Sequence, residues 1–180
     1  MKTVFIVLLL SSSLWISNVH ANKNDQDKPL IVNADRVDVD DVKQNYVLSG
    51  DVLLIKGSMI AKGDKGNIQV DPQGYQSIDL KGKVESLASM RQRRDGIAEE
   101  FMQGIGRDIL YDDKKEEIIL TGNAQVKRLL NMQMLDQLQG WQIEYEDIRE
   151  SYKVRPQAID PNAPPQSRAI LAPRKKVLIN

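Results

Sequence analysis

A four-residue pattern of apolar, variable, apolar and acidic residues recurs along this chain and constrains its fold more than any other feature. The copies are Val37–Asp40, Ile68–Asp71, Ile109–Asp112 and Ile143–Glu146. Alternation with a period of two is typical of a β-strand that buries one face. After each of the first three copies, a polar turn leads into a returning apolar run. Because a single hairpin cannot bury its own apolar face, the repeat predicts stacked antiparallel hairpins and an all-β fold.

Glycine stands within the first three returning runs, at Gly50, Gly82 and Gly122, whereas the fourth returns through Tyr152 and Val154 without one. Glycine inside a strand usually marks a bulge or a bend. A phosphate-binding role is disfavoured because no glycine-rich loop here leads into a predicted helix. The repeated glycine therefore predicts a sheet that turns a corner at one place in each hairpin.

The two ends of the chain differ from the repeats. Lys2, the apolar run Val4–Leu10 and the small residue Ala21 predict a secretory signal peptide, residues 1–21, that is cleaved after Ala21. The alternative is an uncleaved anchor, but the apolar run falls short of the roughly 20 residues that span a bilayer. Five of the seven prolines fall in residues 156–173. We therefore expect a β domain over residues 22–155 and, over residues 156–180, a linker with a possible late strand and a basic tail, Arg174–Lys176.

Composition excludes several kinds of chemistry. The chain has no cysteine, and its one histidine, His20, lies in the predicted signal peptide, so the sequence predicts no Ser–His or Cys–His pair, no metal site and no cofactor. A net charge of zero gives no field that attracts nucleic acid. The acidic residues 35–41 lack calcium-loop spacing and are interpreted as a solvated strand face. Carboxylates such as Asp112 and Asp113 leave a carbohydrate-active enzyme as an open alternative.

Two segments are ambiguous from sequence alone. Residues 90–96 are basic with a turn signal, and residues 97–102 suit either a helical turn or a strand. Residues 129–138 contain leucine, methionine and glutamine, which favour helix. We predict strand for residues 129–138, because they connect two copies of the hairpin unit.

Several stretches together resemble a known family. They are PLIVNAD (29–35), the pair LSGDV (48–52) and LTGNA (120–124), MRQRRDGIAEEFMQG (90–104), GRDILYDDKKEEIILTGNAQVKRL (106–129) and SRAILAP (167–173). Their order and spacing resemble the periplasmic lipopolysaccharide-export family, LptA, also described as OstA-like. The resemblance covers residues 28–155 and the last of these stretches.

The resemblance implies a twisted, V-shaped, open β-jellyroll and a role without enzymatic activity. It implies that lipopolysaccharide, bound by its lipid A, is carried across the periplasm from the inner to the outer membrane. Family members stack head to tail and join similar domains on an inner-membrane partner (LptC) and an outer-membrane partner (LptD). Edge strands near Leu30–Asn33 and Tyr145–Val154 are the expected joints. An anchored, LptC-like partner of the same fold remains an alternative.

A carrier of this kind needs an apolar trough, because each acyl methylene exposed to water costs about 0.8 kcal/mol. Strand parity predicts inward groove residues Leu30, Val32, Val37, Val39, Val52, Leu54, Ile68, Val70, Met90, Ile109, Tyr111, Ile118, Leu120, Ile143 and Tyr145, and also places Ile60 inward. The alternative is the packed core of a β-sandwich; an aromatic content of only 5% favours the trough. Arg91, Arg93 and Arg94 are candidate phosphate contacts, with a solvated turn as the competing interpretation.

Overall fold

The computed structural model describes Asp25 and residues 27–94, 99–146, 151–156 and 167–173 of the chain. The regular structure in these ranges is a single sheet of twelve β-strands. The strands are β1 (Leu30–Asn33), β2 (Arg36–Asp40), β3 (Asn45–Lys56), β4 (Met59–Val70), β5 (Gln76–Lys81), β6 (Ala88–Arg93), β7 (Glu100–Gly106), β8 (Asp108–Asp112), β9 (Glu117–Leu130), β10 (Gln133–Glu146), β11 (Ser151–Arg155) and β12 (Arg168–Leu171). Within the described ranges no helix is long and apolar enough to cross a membrane. The expected all-β class is confirmed.

The four long strands β3, β4, β9 and β10 divide the sheet into two arms. Each long strand pairs along one half of its length with one short strand and along the other half with a second. Arm A has the strand order β2-β3-β4-β5-β8-β9-β10-β11, and arm B has the order β1-β3-β4-β6-β7-β9-β10-β12. All neighbours in both arms are antiparallel. The hairpins predicted from the repeat are β2–β3, β4–β5, β8–β9 and β10–β11.

The corner between the arms is built into β3 by a glycine. The register of β3 against β4 shifts between Ser49 and Val52, and the intervening Gly50 and Asp51 have φ angles of 76° and 42°. A Cβ atom at Gly50 would lie 2.1 Å from a carboxylate oxygen of Asp35. Both the left-handed backbone and the lack of space therefore require glycine at this bulge.

The same device recurs in β9 but not in β5. Gly122 and Asn123 have φ angles of 78° and 55° at the point where β9 exchanges its neighbour β8 for β7. The predicted corner glycine is thus confirmed at Gly50 and Gly122. The prediction is wrong for Gly82, which follows the last residue of β5 and donates its N–H to the carbonyl of Arg107 at 2.8 Å.

The ambiguous segments form strands and turns. Residues 99–102 run into β7, and residues 95–98 lie outside the described part of the chain. Residues 129–130 and 133–138 are strand, as predicted, but residues 131 and 132 are a turn, so the segment is a hairpin. Asn131 and Met132, with φ angles of 48° and 66°, connect β9 to β10. Two successive left-handed residues are the signature of a tight two-residue hairpin turn. The usual Asn-Gly signal was missing because methionine occupies the second position.

The turn from β4 to β5 is organised by Asp71. Its carboxylate accepts the N–H groups of Gln73 and Tyr75, at 2.9 and 3.0 Å, and the ammonium of Lys114 at 3.2 Å. Burial alone would raise the pKa of Asp71, but the hydrogen bonds from Tyr75, Lys114 and Gln73 hold it below its ordinary value of 3.8. The carboxylate form therefore stabilises the native turn.

The hydrophobic core lies between the two arms. Its largest fully buried side chains are Val52, Leu48, Leu54, Leu80, Leu120 and Ile143. Arms A and B are in direct contact here, because a Cβ atom at Gly104 in arm B would lie 2.7 Å from the Leu120 side chain in arm A. The predicted signal peptide, the linker residues 157–166 and the basic tail Arg174–Lys176 lie outside the described residues. The proposed domain limits stay a prediction.

Candidate functional site

The inner face of arm A carries apolar side chains from its first strand to its last. Direct cross-strand partners form one row of Val37, Leu48, Gly66, Leu80, Ile109, Leu120, Ile143 and Val154. A second row contains Val39, Tyr46, Ile68, Ile78, Tyr111, Ile118, Tyr145 and Tyr152. Cross-strand partners point to the same face of a sheet, so each row is a continuous strip. No charged side chain interrupts either strip.

Arm B faces this surface with a similar row. Its members are Val32, Leu54, Ala61, Met90, Gly104, Val126, Leu138 and Ala169. Nine of the predicted groove residues are no more than 3% exposed, and all of them except Val52 lie in these three rows: Val52, Leu54, Ile68, Met90, Ile109, Ile118, Leu120, Ile143 and Tyr145. Leu30, Val32, Val70 and Tyr111 are partly buried. Strand parity therefore predicted correctly that these side chains lie in the interior. Their contact with a ligand stays a prediction.

Val37 and Val39 are on the inner face but are not covered. They are 43% and 56% exposed, although their partners Leu48 and Tyr46 lie within the interior. The reason is that β2 pairs only with β3 among the described strands, so the interior ends there at a free edge. At the opposite edge, the inward Leu171 of β12 is 66% exposed. The apolar interior thus reaches both free edges of the sheet.

One inward assignment was wrong. Ile60 pairs with Ile55 on the outer face and is 42% exposed, whereas its neighbours Met59 and Ala61 are buried. The turn after Lys56 sets the parity of β4, and Met59, the partner of Lys56, points inward. The apolar alternation of Met59 and Ala61 was the signal that could have identified this parity.

A buried ion pair joins the far ends of the two arms. Lys56, at the end of β3 in arm B, donates from Nζ to Asp113 Oδ2 at 3.1 Å in the turn after β8 in arm A. Their side chains are only 3% and 9% exposed. The Tyr111 hydroxyl donates to the other oxygen of Asp113 at 2.8 Å. Since β3 and β8 are not paired, this contact closes the interior on the side away from the corner.

A cavity of about 420 Å³ lies at the C-terminal edge of the interior. Its walls are Val126, Leu138, Tyr152, Val154, Leu171, Arg94, Arg128 and Asp136. The charges there are mutually paired: Arg94 contacts the buried Glu100 at 2.5 Å, Arg128 approaches Glu100 at 3.6 Å, and Arg128 also binds Asp136. The cavity therefore combines apolar walls with a chain of neutralised charges.

The three candidate phosphate contacts do not lie together. Strand alternation sends Arg91 and Arg93 to the outer face, where the Arg91 guanidinium lies 3.9 Å from the ring centre of Phe101. Arg94 points inward to the cavity and is paired with Glu100. Of the three, only Arg94 is placed where it could meet a ligand in the interior.

The carboxylates that an enzyme would use, Asp112 and Asp113, have different partners. Asp113 is buried against Lys56, whereas Asp112 binds the ammonium of Lys115 at 2.8 Å. Burial would raise the pKa of Asp112, but the hydrogen bonds from Lys115 outweigh it and hold that pKa below 3.8. A general acid needs the opposite shift. In the part of the chain that the structure describes, no three His, Cys, Asp or Glu side chains are grouped to bind a metal.

The fold and the interior define a class: a jellyroll-like, all-β protein with an apolar interior between two arms and, among the described residues, no group of three His, Cys, Asp or Glu side chains that could hold a metal ion. The family model described as "LptA/(LptD N-terminal domain) LPS transport protein" matches residues 31–151. The chain belongs to this family of lipopolysaccharide transport proteins, and the resemblance found in the sequence is confirmed. The family and the fold are those of a transport protein rather than of an enzyme.

A solved structure shows the same fold. It is the crystal structure of LptH, the LptA homologous periplasmic component of the conserved lipopolysaccharide transport device from Pseudomonas aeruginosa. The TM-score is 0.69 at 22% sequence identity, and the match covers 83% of this chain and 99% of that chain. This likeness confirms the jellyroll prediction. No curated protein sequence matches this chain.

Proposed function

We propose that this protein is a periplasmic bridge for lipopolysaccharide, which shields the lipid A acyl chains between its two arms on the way from the inner to the outer membrane. The observation that carries the proposal is the pair of apolar rows that crosses all eight strands of arm A. Eight strands about 4.8 Å apart extend such a strip over roughly 34 Å. At about 0.8 kcal/mol per methylene, covering even part of several acyl chains is a large gain over water.

Entry of lipid requires the arms to separate, because the inward side chains are packed against each other. On the corner side, the two arms are joined by the four long strands, two of which bulge at Gly50 and Gly122, and by the connections β1–β2, β5–β6 and β7–β8. On the other side, the pair between Lys56 and Asp113 is the buried polar tie that separation would break. The C-terminal cavity of about 420 Å³ gives this opening a space in which to begin.

The free edges supply a joint between copies. Arm A contains eight antiparallel strands, so β2 and β11 run in opposite directions, and β11 of one copy can extend the sheet next to β2 of another. The same holds for β12 and β1 in arm B. Edge strands carry unpaired backbone groups that favour this addition. We infer head-to-tail stacking, and the same edges would join LptC-like and LptD-like partner domains.

The side chains at these edges are complementary. Matching the rows places inward Val154 and Tyr152 of β11 beside the exposed Val37 and Val39 of β2. On the outer face, the same matching places Lys153 of β11 beside Asp38 of β2. Stacking would therefore cover apolar surface inside and pair opposite charges outside, which supports a continuous interior from copy to copy.

A competition experiment tests whether lipid A is the recognised part. The protein purified from the periplasm is incubated with labelled lipopolysaccharide and separated by size exclusion. Unlabelled lipid A is expected to displace the label, and polysaccharide released from its lipid is expected to have no effect. Displacement by the polysaccharide alone would contradict acyl-chain binding and would favour a carbohydrate site.

The export prediction has its own test, because residues 1–21 lie outside the described part of the chain. N-terminal sequencing of the exported protein is expected to begin at Asn22. A retained Met1 segment would instead support the anchored, LptC-like alternative.

A further inference from the structure

The outer face of arm B is unlike the rest of the surface. This face, named here the basic outer face, consists of the arm B side chains that alternate with the interior ones. Its cations are Lys62, Arg91, Arg93, Lys127 and Arg168. Among the described residues of arm B, the outward strand positions that pair with another strand of this arm are apolar, neutral or basic, and none is Asp or Glu. Asp64, two residues after Lys62, lies at the corner and is paired with Lys83 at 2.7 Å. The charged side chains of the paired outward positions are therefore all basic.

Large apolar side chains lie between these cations. Ile31, Ile60 and Met134 are 52%, 42% and 46% exposed. Ile60 is the direct cross-strand partner of Arg91. The face thus alternates cations with half-exposed hydrophobic groups from edge strand β1 to edge strand β12, where Ile170 is 36% exposed.

The cations of this face are not neutralised by neighbours. On arm A, by contrast, several outer cations pair with carboxylates, for example Arg36 with Asp38 at 2.8 Å and Lys153 with Glu144 at 2.7 Å. Within the described ranges, none of the five cations on the basic outer face has a carboxylate within ion-pair distance. One of them, Arg91, instead lies over the Phe101 ring and contacts the Met132 sulfur at 3.4 Å. The positive charge of the basic outer face is therefore available to an external partner.

We propose that the basic outer face binds the surface of an anionic phospholipid bilayer. Cations attracted by lipid headgroups, with apolar side chains that enter the interfacial region, are the combination that holds peripheral proteins on such membranes. Both chemistries recur across the whole width of an extended sheet face, which matches a planar partner better than a single acidic peptide segment. The site is separate from the interior, so it does not depend on lipid A being carried between the arms.

Vesicle flotation at low ionic strength tests this proposal with defined lipids. The protein purified from the periplasm is mixed with vesicles containing phosphatidylglycerol, or with vesicles of phosphatidylcholine alone, and lipopolysaccharide is absent. We expect binding to the anionic vesicles, its loss as salt is raised, and none to the zwitterionic vesicles. Absence of binding to anionic vesicles overturns the proposal, and so does equal binding to both.

Charge-matched variants locate the surface. The triple variant Lys62→Gln, Lys127→Gln and Arg168→Gln removes three cations from the basic outer face. At about 1 kcal/mol for each cation near an anionic surface, and 1.4 kcal/mol for a factor of ten, vesicle partitioning is expected to fall about 100-fold. The control variant Lys43→Gln, Lys65→Gln and Lys81→Gln makes the same net change on the side of arm A and is expected to bind nearly as wild type. An equal loss in both triple variants overturns the proposed location.

A single apolar substitution provides a second readout. Ile60→Gln removes a 42% exposed side chain from the basic outer face, whereas Val47→Gln removes a 46% exposed one from the outer face of arm A. If Ile60 enters the interface, its loss is expected to weaken anionic vesicle binding roughly fivefold. Binding that is unchanged in Ile60→Gln, or reduced equally in Val47→Gln, contradicts insertion of this face.

Discussion

The buried pair between Lys56 and Asp113 gives the sharpest stability prediction. The two side chains are 3% and 9% exposed and lie on opposite arms, so neither charge is well solvated without the other. Lys56→Met leaves the Asp113 carboxylate buried with the Tyr111 hydroxyl as its remaining donor at this site. Removing one member of a buried pair typically costs about 3–5 kcal/mol, and we expect a loss in this range. This is a large share of the roughly 5–15 kcal/mol that stabilises a typical domain.

The double variant Lys56→Met and Asp113→Asn separates this cause from simple loss of packing. It removes both charges while the new amide oxygen can still accept the Tyr111 hydroxyl. Because no buried charge is then left alone, we expect it to recover about 2 kcal/mol or more of the loss. Urea denaturation measures both values, and a lower midpoint with an unchanged slope would show a true change in stability.

An exposed pair supplies the control. Lys81 and Asp79 are 3.5 Å apart with side chains 55% and 42% exposed. Exposed pairs contribute about 0–1 kcal/mol, so Lys81→Met is expected to change stability very little. If Lys56→Met lowers the free energy of unfolding no more than this control does, or if the double variant is as unstable as the single one, the buried pair does not stabilise the contact between the arms as described.

Three further predictions concern the corner, the acid response and the joint. Gly50→Ala is expected to lower the free energy of unfolding by about 2 kcal/mol or more, because the new Cβ would be in a left-handed backbone and would meet the Asp35 carboxylate. Gly74→Ala, also at positive φ but in open space, should lower it by only about 1 kcal/mol. Equal losses in urea denaturation would argue against the steric contribution at Gly50. Asp71 has a lowered pKa, so its contribution to stability is present above pH 3.8 and is lost as the pH falls through the pKa of the folded protein. Asp71→Asn should therefore lower the melting temperature near neutral pH and make it fall less steeply in acid. An unchanged fall of the melting temperature in acid would count against this role. Lys153→Glu should weaken concentration-dependent association in analytical ultracentrifugation, and Asp38→Lys in the same chain should restore it; failure of this rescue would contradict the proposed edge pairing.

The strand repeat made the hairpins and most of the interior predictable. A period of two fixes which side chains share a face, so Ile68, Ile109, Ile118 and Ile143 were correctly placed inward. The glycine in the first returning run predicted the corner, because few other residues fit a left-handed bulge with a carboxylate so close. The local sequence pattern was therefore sufficient to predict features that depend on a single strand and its turn.

The features that sequence reasoning missed depend on long-range pairing or on parity across a turn. Lys56 and Asp113 meet across 57 positions, and neither residue has a local signal for burial. Ile60 was misplaced because the turn before it changes which residues of β4 face inward. The opposite directions of Arg93 and Arg94 were also missed: Arg93 ends β6 and points outward, whereas Arg94 follows the strand and is paired with Glu100.

The basic outer face was also invisible in the composition. A net charge of zero hides the separation of charge, because most acidic residues lie on arm A or face inward, whereas the charged residues on the outer face of arm B are Lys62, Lys127 and other cations. Only the register of the strands assigns each charge to an arm. Surface character of this kind therefore requires the topology as well as the sequence.

The most direct test of the central claim is site-specific photocrosslinking to labelled lipopolysaccharide. Photoreactive residues at the inward positions Val39, Ile68 and Met90 are expected to crosslink the lipid. The outward positions Asp38 and Gln69, each adjacent to one of these in sequence, are expected to give no crosslink. Equal crosslinking from inward and outward positions, or crosslinks from the outward positions alone, would contradict the carriage of lipid A between the arms.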